Sequence, residues 1–306
     1  MNAGEEWISA LSRGDHETAW RISASILADS DPSKRDDPSL PYHLRWVWDG
    51  RPFRGRHVLV RCYHGFGDTI QFARYLPPLR ALAASVTLEV APKLLPLLKG
   101  FPGVDRVIAF DPDAPAPPSE CDVEIMELAF ALRKRPDCIP LPYFEAEPAP
   151  LPAGTVGLCW RAGKWDERRS IPSSLFEPLT RVPCVTLVAK PTTLRVLNPG
   201  GCPNEIMPTA ALIAGVDLVI TVDTMIAHLA GALGRPTWLL LRHHPDWRWR
   251  GEMAETPWYP SMRLYRQSEE GQWGDVMAQV GEDLGRWHQG RVGRSLPEEA
   301  ALELEG

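Results

Sequence analysis

From residue 57 onward, short apolar runs alternate with stretches of helical length. "HVLVRC", "SVTLEV", "VDRVIAF" and "CDVEIMEL" are compact and rich in β-branched residues, the pattern of buried strands. Strands alternating with helices predict a parallel sheet covered on both faces. The alternation stops at "CIPLPYFEAEPAPLPAG", where five prolines within residues 139–154 favour an extended, semi-rigid connector over any packed element. It resumes with "TVGLCW", "CVTLVA", "VDLVITV", "PTWLLL" and "MRLYRQ", among which "TMIAHLAGALG" is the clearest helix. Two doubly wound α/β domains in series are expected, over residues 38–150 and 151–288.

Residues 5–28 read as two short helices meeting at Gly14-Asp15. Asp15 caps the second, and Ala19, Ile22 and Ile26 share one face. Residues 1–37 are thus a helical hairpin, similar to one unit of a repeat array, with its linker. "QWGDVMAQVGEDLGRWHQ" reads as a closing helix and residues 289–306 as a tail.

Composition narrows the function. A net charge of -6 over 306 residues, without a Lys/Arg cluster, argues against a general nucleic-acid binder. No apolar run reaches the roughly 18 residues of a membrane span, and the acidic start is unlike a signal peptide. A cytoplasmic protein is expected, with peripheral attachment at the inner membrane face as a variant. The six cysteines form no Cys-x-x-Cys pair and read as buried reduced thiols.

Ligands of open α/β sheets bind at the carboxyl ends of strands, where glycine admits the backbone and the next helix offers free N–H groups. Gly65-Phe66-Gly67-Asp68 stands at such an edge. One reading is a tight turn with Asp68 as helix cap. The other is a site: Thr69 could cap instead, and Arg61, His64, Gln71 and Arg74 make the edge unusually polar. Pro77-Pro78 must kink or restart the helix.

A second edge lies in "VDLVITVDTMIAHLAGALGRPTW", where Asp223 ends an apolar run and a helix begins at once. N–H groups near Thr224, Met225 and Ile226 should then face an anion. His228, taken alone, reads more readily as a histidine packed on the sheet than as a ligand contact. A third, "VGLCWRAGKWDERRSIP", carries Arg161, Lys164, Arg168 and Arg169 in a strand-to-helix loop suited to phosphate, or simply solvated. Lys190 ends a further strand. Trp247, Trp249, Trp258 and Tyr259 suit either core packing or a substrate platform. "DPDAPAPP" is a proline-rich surface loop and not a metal site.

Taken together, "GFGDTIQFARYLPPLRA", "VGLCWRAGKWDERRSIP" and "DLVITVDTMIAHLAGALGRPTWLLL" resemble the heptosyltransferase-like family of bacterial glycosyltransferases, of the kind fused to tetratricopeptide repeats. The resemblance spans roughly residues 40–285. It implies a GT-B fold, two Rossmann-like domains facing across a cleft, with the nucleotide-sugar donor held mainly by the second. By that resemblance Asp68 is the catalytic base in its glycine loop, Gly65 and Gly67. Asp223, Thr224, Met225 and His228 bind the donor, and Lys164 or Arg168 neutralises its diphosphate, with Lys190 a further cation. His64, Gln71 and Arg74 fall on the acceptor side. The chain departs from the family by placing Met225 where glycine is usual and Lys164 where asparagine is usual. The implied activity is metal-independent and cofactor-free transfer from a nucleotide sugar to a glycan, lipid-linked glycan or protein hydroxyl. The rival readings are a GT-B scaffold without activity, and a nucleotide-sugar epimerase or hydrolase.

Overall fold

The computed structural model describes residues 2–163, 165–249 and 253–292. Among the described residues nine strands form two all-parallel sheets. The first contains β1 (His57–Arg61), β2 (Ser85–Val90), β3 (Arg106–Ala109) and β4 (Cys121–Glu124), in the order β3-β2-β1-β4. The second contains β5 (Val156–Cys159), β6 (Cys184–Thr186), β7 (Leu218–Val222), β8 (Thr237–Leu241) and β9 (Met262–Arg266), in the order β6-β5-β7-β8-β9. Every residue of β7 and β8 is buried, as expected of strands covered on both faces.

The N-terminal hairpin is α1 (Ala3–Ser12) and α2 (His16–Asp29), and Asp15 caps α2 by accepting from the Thr18 N–H at 3.0 Å. Its buried face differs from the expected one. Ala19 and Trp20 are enclosed while Ile26 is 51% exposed. The Trp7 indole N–H, bonded to the Ser23 hydroxyl at 3.0 Å, ties the two helices together.

In the first domain α3 (Phe66–Phe72) passes through a short 3₁₀ turn into α4 (Leu76–Arg80). Pro77 and Pro78 stand in the first turn of α4, where missing donors are harmless, so they restart the helix as expected. α5 (Leu95–Leu98) and α6 (Leu128–Ala131) are single turns after β2 and β4. The second domain adds α7 (Ile206–Gly215), α8 (Met225–Ala232) and the closing α9 (Gly274–Val292). α9 runs past residue 288, and the rest of the expected tail lies outside the described residues.

The proline-rich connector is extended, but it is packed, contrary to expectation. The N–H groups of Tyr143 and Phe144 both bond the Ala232 carbonyl, and that of Ala149 bonds the Ala211 carbonyl. Phe144 is buried against Phe101, with ring centroids 4.8 Å apart. Apolar residues between the prolines thus moor the connector to α7 and α8. The cysteines are free thiols, and all are buried except Cys138. No helix among the described residues is long and apolar enough to cross a membrane.

Candidate active site

The two α/β units meet where α3 crosses α8. A Cβ placed on Gly67 would lie 2.7 Å from Cδ2 of His228, so only glycine permits this approach. The His228 ring cannot readily yield. Its Nδ1 lies 3.2 Å from the Tyr259 hydroxyl, and the ring packs on Trp249 with centroids 5.5 Å apart. Burial first, then the charges of Arg248, Arg74 and Arg169, push its pKa well below the usual histidine value. His228 is therefore a neutral packing group, the bland alternative at that position.

Asp68 lies on α3 at this crossing. One carboxylate oxygen accepts the Gly65 N–H at 3.0 Å, so Asp68 does close the helix start. Thr69 does not free it from that duty, because its hydroxyl donates to the Gly65 carbonyl instead, at 3.3 Å. The other Asp68 oxygen is 2.5 Å from Nη2 of Arg248, a nearly enclosed guanidinium that also holds Gln71 at 2.6 Å and Asp246 at 2.9 Å. Gln71 is thus a buried strut. Arg74 is another: it binds the Trp258 carbonyl and the Tyr143 hydroxyl and is 1% exposed, which removes it from any acceptor surface. His64, half-buried, pairs with Glu124 at 3.0 Å. Its pKa is raised: burial opposes the rise, and Glu124 overcomes it.

Arg61 is also structural. It is 1% exposed at the end of β1 and bonds Glu89 at 2.9 Å and Asp122 at 2.9 Å. Those carboxylates in turn accept N–H groups from Ala116 and Ser119, so the polar edge seen in the sequence anchors the loop before β4.

Across the crossing, Asp223 directly follows β7, is buried, and pairs with Arg169 at 3.5 Å. Burial raises its pKa above the usual carboxylate value, with Arg169 opposing. Thr224 caps α8 without a side-chain hydrogen bond, which leaves the first-turn N–H groups of Met225 and Ile226 available to an anion. A cavity of about 290 Å³ opens here, lined by Asp223, Arg169, Arg242, Asp246 and Trp247 among others. Arg168 is exposed and engaged with Asp166 at 2.8 Å, and neither it nor the exposed Lys190 lines that cavity. Lys164 lies outside the described residues.

Residues 204–278, which include β7, α8 and β8, match glycosyltransferase family 9 (heptosyltransferase). Solved structures agree on the fold. A family 9 glycosyl transferase from Veillonella parvula superposes with a TM-score of 0.52 at 12% identity, over 81% of this chain and 92% of that one. E. coli ADP-heptose LPS heptosyltransferase II gives 0.52 at 15%, over 77% and 99%. The two parallel units are therefore a GT-B fold. Protein FlbA of Caulobacter vibrioides is 28% identical over 78% of this chain and 48% of its own length. The chain spans about half the length of that curated relative.

Within the matched residues 204–278, the sequence analysis did not single out Arg248, which pairs with Asp68. Its only sequence signal is a place between the two tryptophans of "DWRWR", just after the strand-end loop of β8. Three of the four aromatics noted there are core: Trp249, Trp258 and Tyr259 are buried. Trp247 alone is half-buried, beside the cleft. Replacing Gly67 with alanine is expected to destabilise the fold by about 1–3 kcal/mol through overpacking against His228. Urea titration measures this loss, and adding His228→Ala should recover part of it through coupling.

Proposed function

We propose that this chain transfers a sugar from a nucleoside-diphosphate sugar to an acceptor hydroxyl, with Asp68 as general base. The observation that carries this reading is the contact of α3 with α8, which sets Asp68 and Asp223 on facing edges with Arg248 and Arg169 beside them. The acceptor oxygen attacks the anomeric carbon, its proton passes to Asp68, and the bond from that carbon to the diphosphate oxygen breaks. The nucleoside diphosphate leaves with the bonding electrons. Fixed cations and helix N–H groups stabilise that leaving charge without reorganisation.

Asp223 and the N–H groups of Met225 and Ile226 form the donor side, with Arg169 as its cation in place of Arg168. Arg248 is placed to serve both halves: it holds one oxygen of the base, and its charge also acts on Asp223. Because arginines and N–H groups supply the counter-charge, transfer is read as metal-independent. The GT-B fold at family 9 likeness supports the nucleotide-sugar class, and one similar structure, at a TM-score of 0.53, is described as a heptosyltransferase in complex with ADP-heptose.

The test is a melting-temperature panel with ADP, GDP, UDP, CDP and dTDP in the presence of EDTA. A nucleotide at about 100 times its dissociation constant should add about 2.7 kcal/mol, a shift of a few degrees for a chain of this size. One selective shift, weakened by Asp223→Ala and unchanged by EDTA, is expected. No shift with any nucleotide would sink the transferase reading.

A further inference from the structure

Helix α1 of the hairpin belongs to neither sheet, yet it reaches the candidate site twice. Ile8 lines the cavity of about 290 Å³ beside Asp223, together with Arg169, Arg242 and Trp247. One residue earlier, the Trp7 indole packs edge-to-face with Trp247, with ring centroids 5.7 Å apart. The Arg248 guanidinium lies over the Trp247 ring, 4.5 Å from its centroid, and holds Asp68 and Gln71. A line of contacts therefore runs from the hairpin, through one indole, to the cation beside the candidate base.

Trp247 depends on that support. It stands outside the sheet, in a short 3₁₀ turn (Trp247–Trp249) after β8. On its far side is a larger cavity of about 530 Å³ between the hairpin and the first sheet, lined by Trp7, Ile26, Trp48 and Trp247 among others. Trp247 thus borders both cavities. A ring beside a cavity has room to turn, so its place is set by the groups that press on it: Trp7, Trp258 at 5.8 Å, and Arg248 itself. Trp258 belongs to the second unit, as Trp247 does, whereas Trp7 comes from the hairpin and is itself fixed by the Ser23 hydroxyl at 3.0 Å. Hairpin docking therefore decides whether the guanidinium keeps its aromatic face.

We infer that α1 is a working part of the transfer site: Trp7 is a positioning residue that holds Arg248 against Asp68 through Trp247, and Ile8 is a wall of the donor cavity that faces the nucleoside diphosphate. This deepens the transferase reading and rests on it. The two α/β units supply the base and the donor cations, and the hairpin sets where the cation between them stands. Ile8 brings no charge to a cavity in which Arg169 and Arg242 attract an anion while Asp223 and Asp246 repel it. A charge placed at that wall would therefore act directly on a bound diphosphate.

Two measurements on the full chain test this, and neither needs turnover. One uses whichever of ADP, GDP, UDP, CDP and dTDP raises the melting temperature. At low salt its dissociation constant should rise by roughly three- to tenfold in Ile8→Asp and fall in Ile8→Lys, because the two charges act on the diphosphate with opposite sign. Equal effects of the two variants, or none, would overturn the inference. The other is a double-mutant cycle in urea on Trp7→Ala and Arg248→Met. Independent sites add, whereas the midpoint of this double variant should fall by less than the sum of the single falls, because Trp7→Ala has already loosened Arg248. Trp7→Phe keeps an aromatic ring on Trp247, and Ser23→Ala removes only the bond to the Trp7 indole, so both should leave the Arg248→Met effect at its full size. Additive falls with Trp7→Ala, or equal coupling with Ser23→Ala, would overturn the inference and leave the hairpin a structural brace. Ile8 is only half-buried, so its charge variants decide the matter even if Trp7→Ala does not fold. A nucleotide shift that the Ile8 variants change alike sinks the hairpin's role alone, whereas no nucleotide shift in the unaltered chain sinks the transferase reading beneath it.

Discussion

Replacing Asp68 with asparagine is expected to lower transfer by about 10²–10⁴-fold, the usual contribution of a positioned general base. The readout is release of nucleoside diphosphate from the donor identified by the nucleotide panel. Asparagine keeps the size of the side chain and an oxygen for the Gly65 N–H, so the start of α3 survives and the nucleotide melting shift should persist. What it loses is the proton acceptor and the negative partner of Arg248. Arg248→Met separates these two losses. If it lowers turnover as much as Asp68→Asn does, the carboxylate acts by placing Arg248 and is not the base. A smaller effect in Arg248→Met, with its changes mainly in KM for the donor, is the outcome that supports the assigned role.

The largest effect on stability is expected from Arg61→Leu. Arg61, Glu89 and Asp122 are 1%, 1% and 3% exposed, and the guanidinium bridges both carboxylates. Removing one partner of such a set strands charge in a medium that solvates it poorly, a loss of about 3–5 kcal/mol. Urea denaturation should therefore show the midpoint falling sharply, with the slope kept. Adding Glu89→Gln and Asp122→Asn should return much of the loss, because neutral amides leave no stranded charge. A loss under about 1 kcal/mol in Arg61→Leu alone would mean that water reaches the cluster.

Much of the scaffold was legible along the chain because its signals are local. β7 followed at once by Asp223 and α8 was visible as an apolar run, a carboxylate and a helical period, and the restart at Pro77-Pro78 followed from missing donors. The charged edge around Arg61 was visible too, but its purpose was not. Whether an arginine faces a ligand or two carboxylates depends on strands that pair across 28 and 61 positions. Arg248 was invisible for a stronger version of this reason, since its partner Asp68 is 180 positions away. His228 beside Gly67 belongs to the same class. Ile26 was misjudged because a hairpin's inner face is set by what it docks on, and here that is a cavity wall. The connector prolines were read correctly as extended backbone, while Tyr143 and Phe144, which moor it, gave no periodic signal.

Trp7, Trp247 and Trp258 stand in an edge-to-face relay, with centroid separations of 5.7 Å and 5.8 Å. Indoles this close share their electronic transitions, so near-ultraviolet circular dichroism and emission report on the relay as a unit and not on three separate rings. The first indole belongs to the hairpin, the second borders both cavities, and the third belongs to the loop that Arg74 grips. The chain therefore carries a built-in optical gauge: a displacement of the hairpin alters the colour and handedness of light absorbed beside the candidate base, with no label attached.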